Sequence, residues 1–268
     1  MRDISVDELK SIELEMLKFI DEVCKKEGLR YFLCGGTLLG AVRHQGFIPW
    51  DDDVDIFMPR PDYEKLIELA KNSKEYRLLS EVDDGYYYNF GKLVDTRTTM
   101  IEEECEQIRN FGVYIDIFPL DGMPNDEKEC MRHFKKLDKR RHRITSFSKG
   151  KPRIRKNIFA LFYNWYYYIT NKFTGIKKEQ EKYINIAKQY AYDDSVYVYA
   201  TGGAFKEKDI FPRAWLSNGT ELIFEGVKFQ APIKYDKYLR QLYGDYMELP
   251  PVEKRISHHH FVAHYTDK

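Results

Sequence analysis

The run Asp51-Asp52-Asp53-Val54-Asp55-Ile56-Phe57-Met58 limits the fold of this chain more than any other segment, because acids there give way to alternating acid and apolar residues. Successive side chains of a strand point to opposite faces, so Asp53 and Asp55 would share one face while Val54 and Ile56 enter a core. Two carboxylates held that close repel each other. A hard divalent cation, Mg²⁺ or Mn²⁺, relieves the repulsion, since Mg²⁺ takes oxygen ligands and commonly binds one or two carboxylates plus substrate phosphates. Asp116 stands alone in Tyr114-Ile115-Asp116-Ile117-Phe118. Such apolar flanks are costly around a charge that is neither used nor paired, so Asp116 is expected to complete the metal site. Two other readings of the acidic run were weighed. A solvated acidic loop stays open, whereas a calcium loop of the EF-hand kind is excluded by Ile56 where glycine is required and by Asp62 at the twelfth position.

What surrounds the run supports an α+β fold with a mixed-sheet core. Ser5-Val6-Asp7-Glu8 has the form of a capping box, and Leu9, Ile12, Met16, Phe19, Ile20 and Val23 recur at helical spacing until Gly28. Residues 31–34 form a short strand pattern that stops at Gly35-Gly36-Thr37, and a helix is expected over 38–44. Another helix is expected over 62–72, with strands over 76–80, 87–94 and 112–119. Strand, Gly-Gly-Thr, helix, then acids on the next strand is the order in which a nucleotidyltransferase-type site is assembled. Gly35, Gly36 and Thr37 would offer backbone N–H groups and the positive end of a helix dipole to a phosphate. A tight turn that only needs positive φ remains the other reading.

From residue 125 the pattern turns helical and basic, through Lys135, Lys136, Lys139, Arg140, Arg141 and Arg143 to Arg153, Arg155 and Lys156. The aromatic segment 158–170 follows, thirteen residues where a bilayer-spanning helix needs about 20. Two readings stay open for 135–168, a membrane-surface contact and a packed helix with a solvated basic face. A helix near 179–190, a hairpin over 221–231 turning at Glu225-Gly226 and a helix over 235–242 complete the chain. The expected division is 1–124 as catalytic core, 125–195 as a helical basic and aromatic insertion, and 196–268 returning to the core. Lys plus Arg and Asp plus Glu each total 43, so nothing draws the whole molecule to nucleic acid. Cys24, Cys34, Cys105 and Cys130 lack any CxxC spacing, and Met1-Arg2-Asp3 leads into a polar helix without an apolar stretch. A cytoplasmic location, peripheral on the inner face of the membrane if 135–168 touches it, is the expectation.

Gly35-Gly36-Thr37-Leu38-Leu39-Gly40-Ala41-Val42-Arg43-His44 followed by Phe47-Ile48-Pro49-Trp50-Asp51-Asp52-Asp53-Val54-Asp55 resembles the signature of the LicD family. So do Lys92-Leu93, Thr98-Thr99, Tyr114 to Pro119, Tyr243-Gly244-Asp245-Tyr246-Met247, and Leu249-Pro250-Pro251 through Arg255 and His258. The resemblance reaches from about residue 30 to 260 and is weakest in the basic middle. It implies a nucleotidyltransferase-like fold, shared with fukutin and its relatives. It also implies transfer of phosphocholine or ribitol phosphate from a CDP-linked donor, CDP-choline foremost, to a glycan or its lipid-linked precursor. The acid pair and third acid of that fold would fall on Asp53, Asp55 and Asp116. Sixteen residues separate Gly36 from Asp53, longer than the usual spacing, so Asp51 could share or exchange the metal role.

In such a transfer an acceptor hydroxyl attacks a negatively charged phosphorus while a nucleoside monophosphate leaves, so charge neutralisation and positioning are the main tasks. Asp53 and Asp55 are assigned to the metal, Asp116 to the metal or to the hydroxyl proton. Arg43 and Lys92 are candidate phosphate contacts, with a structural cation as the alternative for each. His44 reads better as a packing or capping group. His258 enters as a substrate-side residue by the resemblance alone, because adjacent His258, His259 and His260 cannot all face one metal. A glycosyltransferase with an Asp-x-Asp metal site, a nucleotidyltransferase and a cation-dependent carbohydrate-binding module are the competing readings. The transferred group, the acceptor sugar and the oligomeric state stay open.

Overall fold

The computed structural model describes residues 2–70, 73–102, 106–148, 161–162, 165–166, 169, 175–256 and 261–266. Strand β1 (Arg2–Asp3) leads into helix α1 (Val6–Glu27). The expected capping box is formed: the Ser5 hydroxyl accepts the Glu8 N–H and the Glu8 carboxylate accepts the Ser5 N–H at 3.0 Å. Gly28, at φ +67°, ends the helix in the left-handed region that glycine enters without strain. Leu9, Ile12, Met16, Leu17, Ile20 and Cys24 form the buried stripe of α1, which packs on the central sheet.

That sheet contains β2 (Phe32–Leu33), β3 (Asp55–Pro59), β4 (Tyr76–Leu79), β5 (Gly91–Asp95) and β7 (Tyr114–Gly122) in the order β2-β3-β7-β5-β4. Its β3–β7 pairing is parallel and its other pairings are antiparallel, so the expected α+β class with a mixed sheet is present. The far end of β7 pairs with β8 (Tyr197–Ala200), which pairs with β9 (Ile210–Pro212). Helices α2 (Gly35–Arg43) and α3 (Arg60–Ala70) flank β3 in sequence. A three-stranded sheet joins β1 to β12 (Phe261–Tyr265) and β12 to β6 (Thr98–Glu102).

Several boundaries differ from the sequence reading. Helix α2 begins at Gly35 instead of Leu38, so the Gly-Gly-Thr segment is its first turn and not a turn before it. Asp53 precedes β3, which begins at Asp55; the two acids therefore do not alternate along one strand. The strand expected over 87–94 is confined to β5, because Tyr86 and Tyr87 instead anchor a loop through hydroxyl bonds to Phe90 O and Glu106 O. β6 was not anticipated: its polar Thr98-Thr99 start hides an edge that becomes a strand only by pairing with β12.

Beyond β7, α4 (Glu127–Ser148) packs on α5 (Ile176–Ala187) over a second core of Met123, Cys130, Phe134, Leu137, Ile144, Tyr183, Ala187 and Tyr199. Glu179 of α5 binds Arg140 at 2.7 Å and Arg143 at 3.3 Å, tying the two helices. The expected hairpin is β10 (Thr220–Phe224) and β11 (Val227–Ala231), turning on Glu225 and Gly226, both at positive φ. Helix α6 (Tyr235–Tyr243) packs against α2.

Candidate functional site

The parallel register of β3 and β7 sets Asp55 beside Asp116, and the antiparallel register of β5 and β7 sets Lys92 on the other side of Asp116. Lys92 donates to Asp116 Oδ1 at 2.7 Å. Its ammonium group lies 3.5 Å from the ring centre of Tyr114, 4.9 Å from that of Tyr88 and 5.3 Å from that of Phe90. Cation–π attraction offsets part of the cost of burying this charge, and Lys92 is only 2% exposed. Lys92 thus holds Asp116 in place, a role that the phosphate-contact expectation did not foresee.

The first turn of α2 faces the acidic loop. Gly35 has φ +52°, and a Cβ there would stand 3.1 Å from Asp55 Oδ2; a Cβ on Gly36 would stand 2.7 Å from Asp51 Oδ2 and 3.9 Å from Asp53 Oδ1. Three carboxylates therefore press against the glycine backbone, which explains both glycines as close-approach residues. The first N–H groups of a helix have no acceptor inside it, so this turn directs donors and a positive dipole end toward the acids and whatever they bind. The Thr37 side chain has a part of its own. Its buried hydroxyl accepts the Asp55 N–H at 2.8 Å and fixes where β3 starts.

Like charges dominate the electrostatics. Burial, then Asp53, Asp116 and Asp51, push the Asp55 carboxyl well above the usual carboxylate range, with Lys92 opposing them. Two groups joined to the cluster were missed in the sequence. Glu13 of α1 is 3% exposed, its Oε2 has no hydrogen-bond partner among the described residues, and burial followed by Asp53, Asp52, Asp55 and Asp116 raises its carboxyl far above normal. The signal was present in the spacing, since Glu13 lies four residues after Leu9 and three before Met16, on the apolar stripe. Tyr243, at the end of α6, has its hydroxyl raised by burial, then by Asp55, Cys34, Asp51 and Asp53, and its ring meets Phe205 edge-on at 5.2 Å.

Arg43 is engaged with the chain itself. It donates to Tyr246 O at 2.8 Å and to His44 Nε2 at 3.0 Å, which fastens the loop after α6 to α2 and leaves His44 as a neutral acceptor. Burial and the neighbouring Arg43 lower the His44 pKa, in agreement with that bond. His258 lies outside the described residues.

Among the described residues, no three His, Cys, Asp or Glu side chains converge closely enough to hold a metal ion by themselves. The donor chemistry nonetheless fits a hard cation. Asp51, Asp53 and Asp55 supply only oxygen ligands, like charges raise the Asp55 carboxyl, and a pair of carboxylates completed by phosphate oxygens is a common Mg²⁺ set.

The family model described as LicD/FKTN/FKRP, nucleotidyltransferase domain, matches residues 28–150. Lipopolysaccharide cholinephosphotransferase LicD of Haemophilus influenzae is 30% identical over 268 residues, covering 97% of this chain and 97% of that protein. The human ribitol 5-phosphate transferase FKRP is 50% identical over 42 residues, 16% of this chain and 8% of its own length. An uncharacterised Rickettsia prowazekii protein is 48% identical over 110 residues, 41% of this chain and 39% of that one. The near-complete match to the Haemophilus protein, over a chain whose glycine turn and acid loop meet in space, shows that the chain belongs to the LicD family.

Proposed function

We propose that this chain transfers a phospho-alcohol group, phosphocholine in the first instance, from a CDP-linked donor to a hydroxyl of a cell-surface glycan or its lipid-linked precursor, releasing CMP. One observation carries the reading: the glycine turn of α2 abuts Asp51, Asp53 and Asp55, and the β3–β7 register adds Asp116 beside Asp55. The nucleotidyltransferase-like fold is part of the same proposal. So is Mg²⁺ or Mn²⁺ held by Asp53 and Asp55, with Asp51 or Asp116 as further ligands. When bound, that ion would supply positive charge against the phosphate oxygens of donor and leaving group.

The residues of the chain account for the remaining work. First-turn N–H groups at Gly36 and Thr37 bind and orient a donor phosphate. The acceptor oxygen forms a new bond to phosphorus as the bond from phosphorus to the CMP oxygen breaks, and the hydroxyl proton passes to Asp116. Lys92, bonded to Asp116 Oδ1, holds that carboxylate in place between β5 and β3. Tyr238, whose hydroxyl lies 3.5 Å from Gly35 N, steadies the glycine turn.

Incubating the protein with CDP-choline, Mg²⁺ and a glycan acceptor should yield CMP and a phosphocholine-bearing product. Release of a nucleoside diphosphate would instead indicate a glycosyltransferase, and pyrophosphate a nucleotidyltransferase. Full turnover after exhaustive chelation would remove the metal from the mechanism.

A further inference from the structure

Helix α4 has two unlike faces. Cys130, His133, Phe134, Leu137 and Ile144 are buried, so the helix is packed and not laid on a membrane by its apolar side. Lys128, Arg132, Lys135, Lys136 and Lys139 are all exposed and fall within a roughly 100° arc of the opposite side, by the 3.6-residue turn. None of these five pairs with a described acid, while Arg140, Arg141 and Arg143 are paired with Glu179 or Asp138. The stripe is a local excess in a chain of zero formal charge.

Further along the chain, Phe162, Trp165, Tyr166 and Ile169 are helical, and their spacing of three, four and seven residues puts them on one face. They are 68%, 38%, 62% and 45% exposed, so a face of three aromatic rings and an isoleucine is turned to the outside. Aromatic residues on one helix face, with a dense basic surface beside them in sequence, match a bilayer interface: rings enter the headgroup region while lysines meet anionic headgroups. A soluble polyanion would use the lysines and leave the aromatic face without purpose.

We propose that the basic face of α4 and the Phe162–Trp165–Tyr166–Ile169 face together dock this protein on an anionic lipid bilayer. The surface serves the transferase reading by bringing the site to a membrane-borne acceptor, yet it stands on separate residues.

The test is co-sedimentation of the full chain with phosphatidylglycerol-containing vesicles and with pure phosphatidylcholine vesicles, at low and high salt. The wild-type chain should bind the anionic vesicles at least about tenfold more tightly, and salt should weaken that preference. The triple variant Lys135→Glu, Lys136→Glu, Lys139→Glu should lose the preference; Phe162→Ser with Trp165→Ser should lose the binding that survives high salt. Thermal melts matching wild type keep misfolding out of the result, and Lys→Gln versions replace any variant that fails this check. Absence of wild-type binding at low salt, equal binding to both vesicles, or indifference to both sets of changes overturns the proposal. Complete competition by soluble polyphosphate, with no effect of the aromatic substitutions, overturns it in favour of a polyanion site. No turnover is measured, so a failure here leaves the transferase reading standing.

Discussion

Strand β7 carries two aspartates five residues apart, hence on opposite faces of its pleat, and they live in opposite electrostatic worlds. Asp121 is 1% exposed and fully answered: Arg60 donates Nε to one oxygen and Nη2 to the other, each at 2.7 Å, and the Thr201 hydroxyl adds a bond at 2.5 Å. Asp116 has Lys92 on one side but Asp55 on the other, with Asp51, Asp53 and Glu13 close enough to press on the same group of carboxyls. A charge that only holds a fold together is matched within the fold. The carboxyls gathered around Asp116 press on one another, raising Asp55 and Glu13, and the proposed cation and phosphate would relieve that repulsion.

If that contrast is right, changes at the acid cluster cost activity and changes at Asp121 cost stability. Asp53→Asn and Asp55→Asn should each lower turnover by about a thousandfold or more, while the metal-free protein melts no lower than wild type, since a repelling charge has gone. The pH dependence sharpens this. The folded-state pKa of Asp55 is raised, so its stabilising contribution is complete below the ordinary carboxylate value and disappears as pH rises through the raised one. Asp55→Asn should therefore flatten the fall of metal-free stability with rising pH, read by thermal melts at several pH values. A steep fall that persists in the variant breaks the comparison.

Asp121→Asn is expected to cost about 3–5 kcal/mol in urea unfolding, because it strands the buried Arg60 charge. The double replacement Arg60→Met with Asp121→Leu should be less damaging than Asp121→Asn alone, since the buried guanidinium leaves together with the carboxylate bonded to it. Lys92→Met comes next, with a stability loss of about 1–3 kcal/mol from leaving Asp116 beside Asp55 without its cation, together with reduced kcat. Lys92→Arg should not fully rescue it, because a longer, planar fork does not reproduce the compact ammonium that meets Asp116 at 2.7 Å over the Tyr114 ring. Equal activity of the lysine and arginine forms would show that Lys92 acts only as a diffuse charge.

The smallest effect is expected at a third kind of carboxyl. Asp209 accepts the Phe205 N–H at 2.7 Å, pairs with no cation among the described residues, and burial raises its pKa to about 7. Its contribution to stability is therefore held at low pH and lost through neutrality, by about 1 kcal/mol between pH 6 and pH 8. Asp209→Asn should remove that slope in chemical denaturation and leave the Asp121 and Asp55 effects unchanged.

Much of this was legible in the linear chain. The capping box at Ser5, the apolar stripe of α1, the turn at Glu225-Gly226 and the acid-bearing strand at Asp55 all follow from local chemistry, where each residue's neighbours in sequence are also its neighbours in space. Asp55 and Asp116 stood out because their apolar flanks imply strands, and Asp51 and Asp53 because they lead into the first of them. Partners were not legible. That the Thr37 hydroxyl bonds the Asp55 N–H and the Arg43 guanidinium the Tyr246 carbonyl could not be read from residue type, since a hydroxyl or a guanidinium suits many partners. Glu13 was hidden because helical periodicity reports which face is buried and not what lies beneath it. Tertiary structure decided the strand register that sets Asp55 against Asp116, the rings that enclose Lys92 and the bidentate pairing of Asp121 with Arg60. Local propensity acts between residues a few positions apart, whereas these contacts join segments tens of residues apart and form only when the sheet closes.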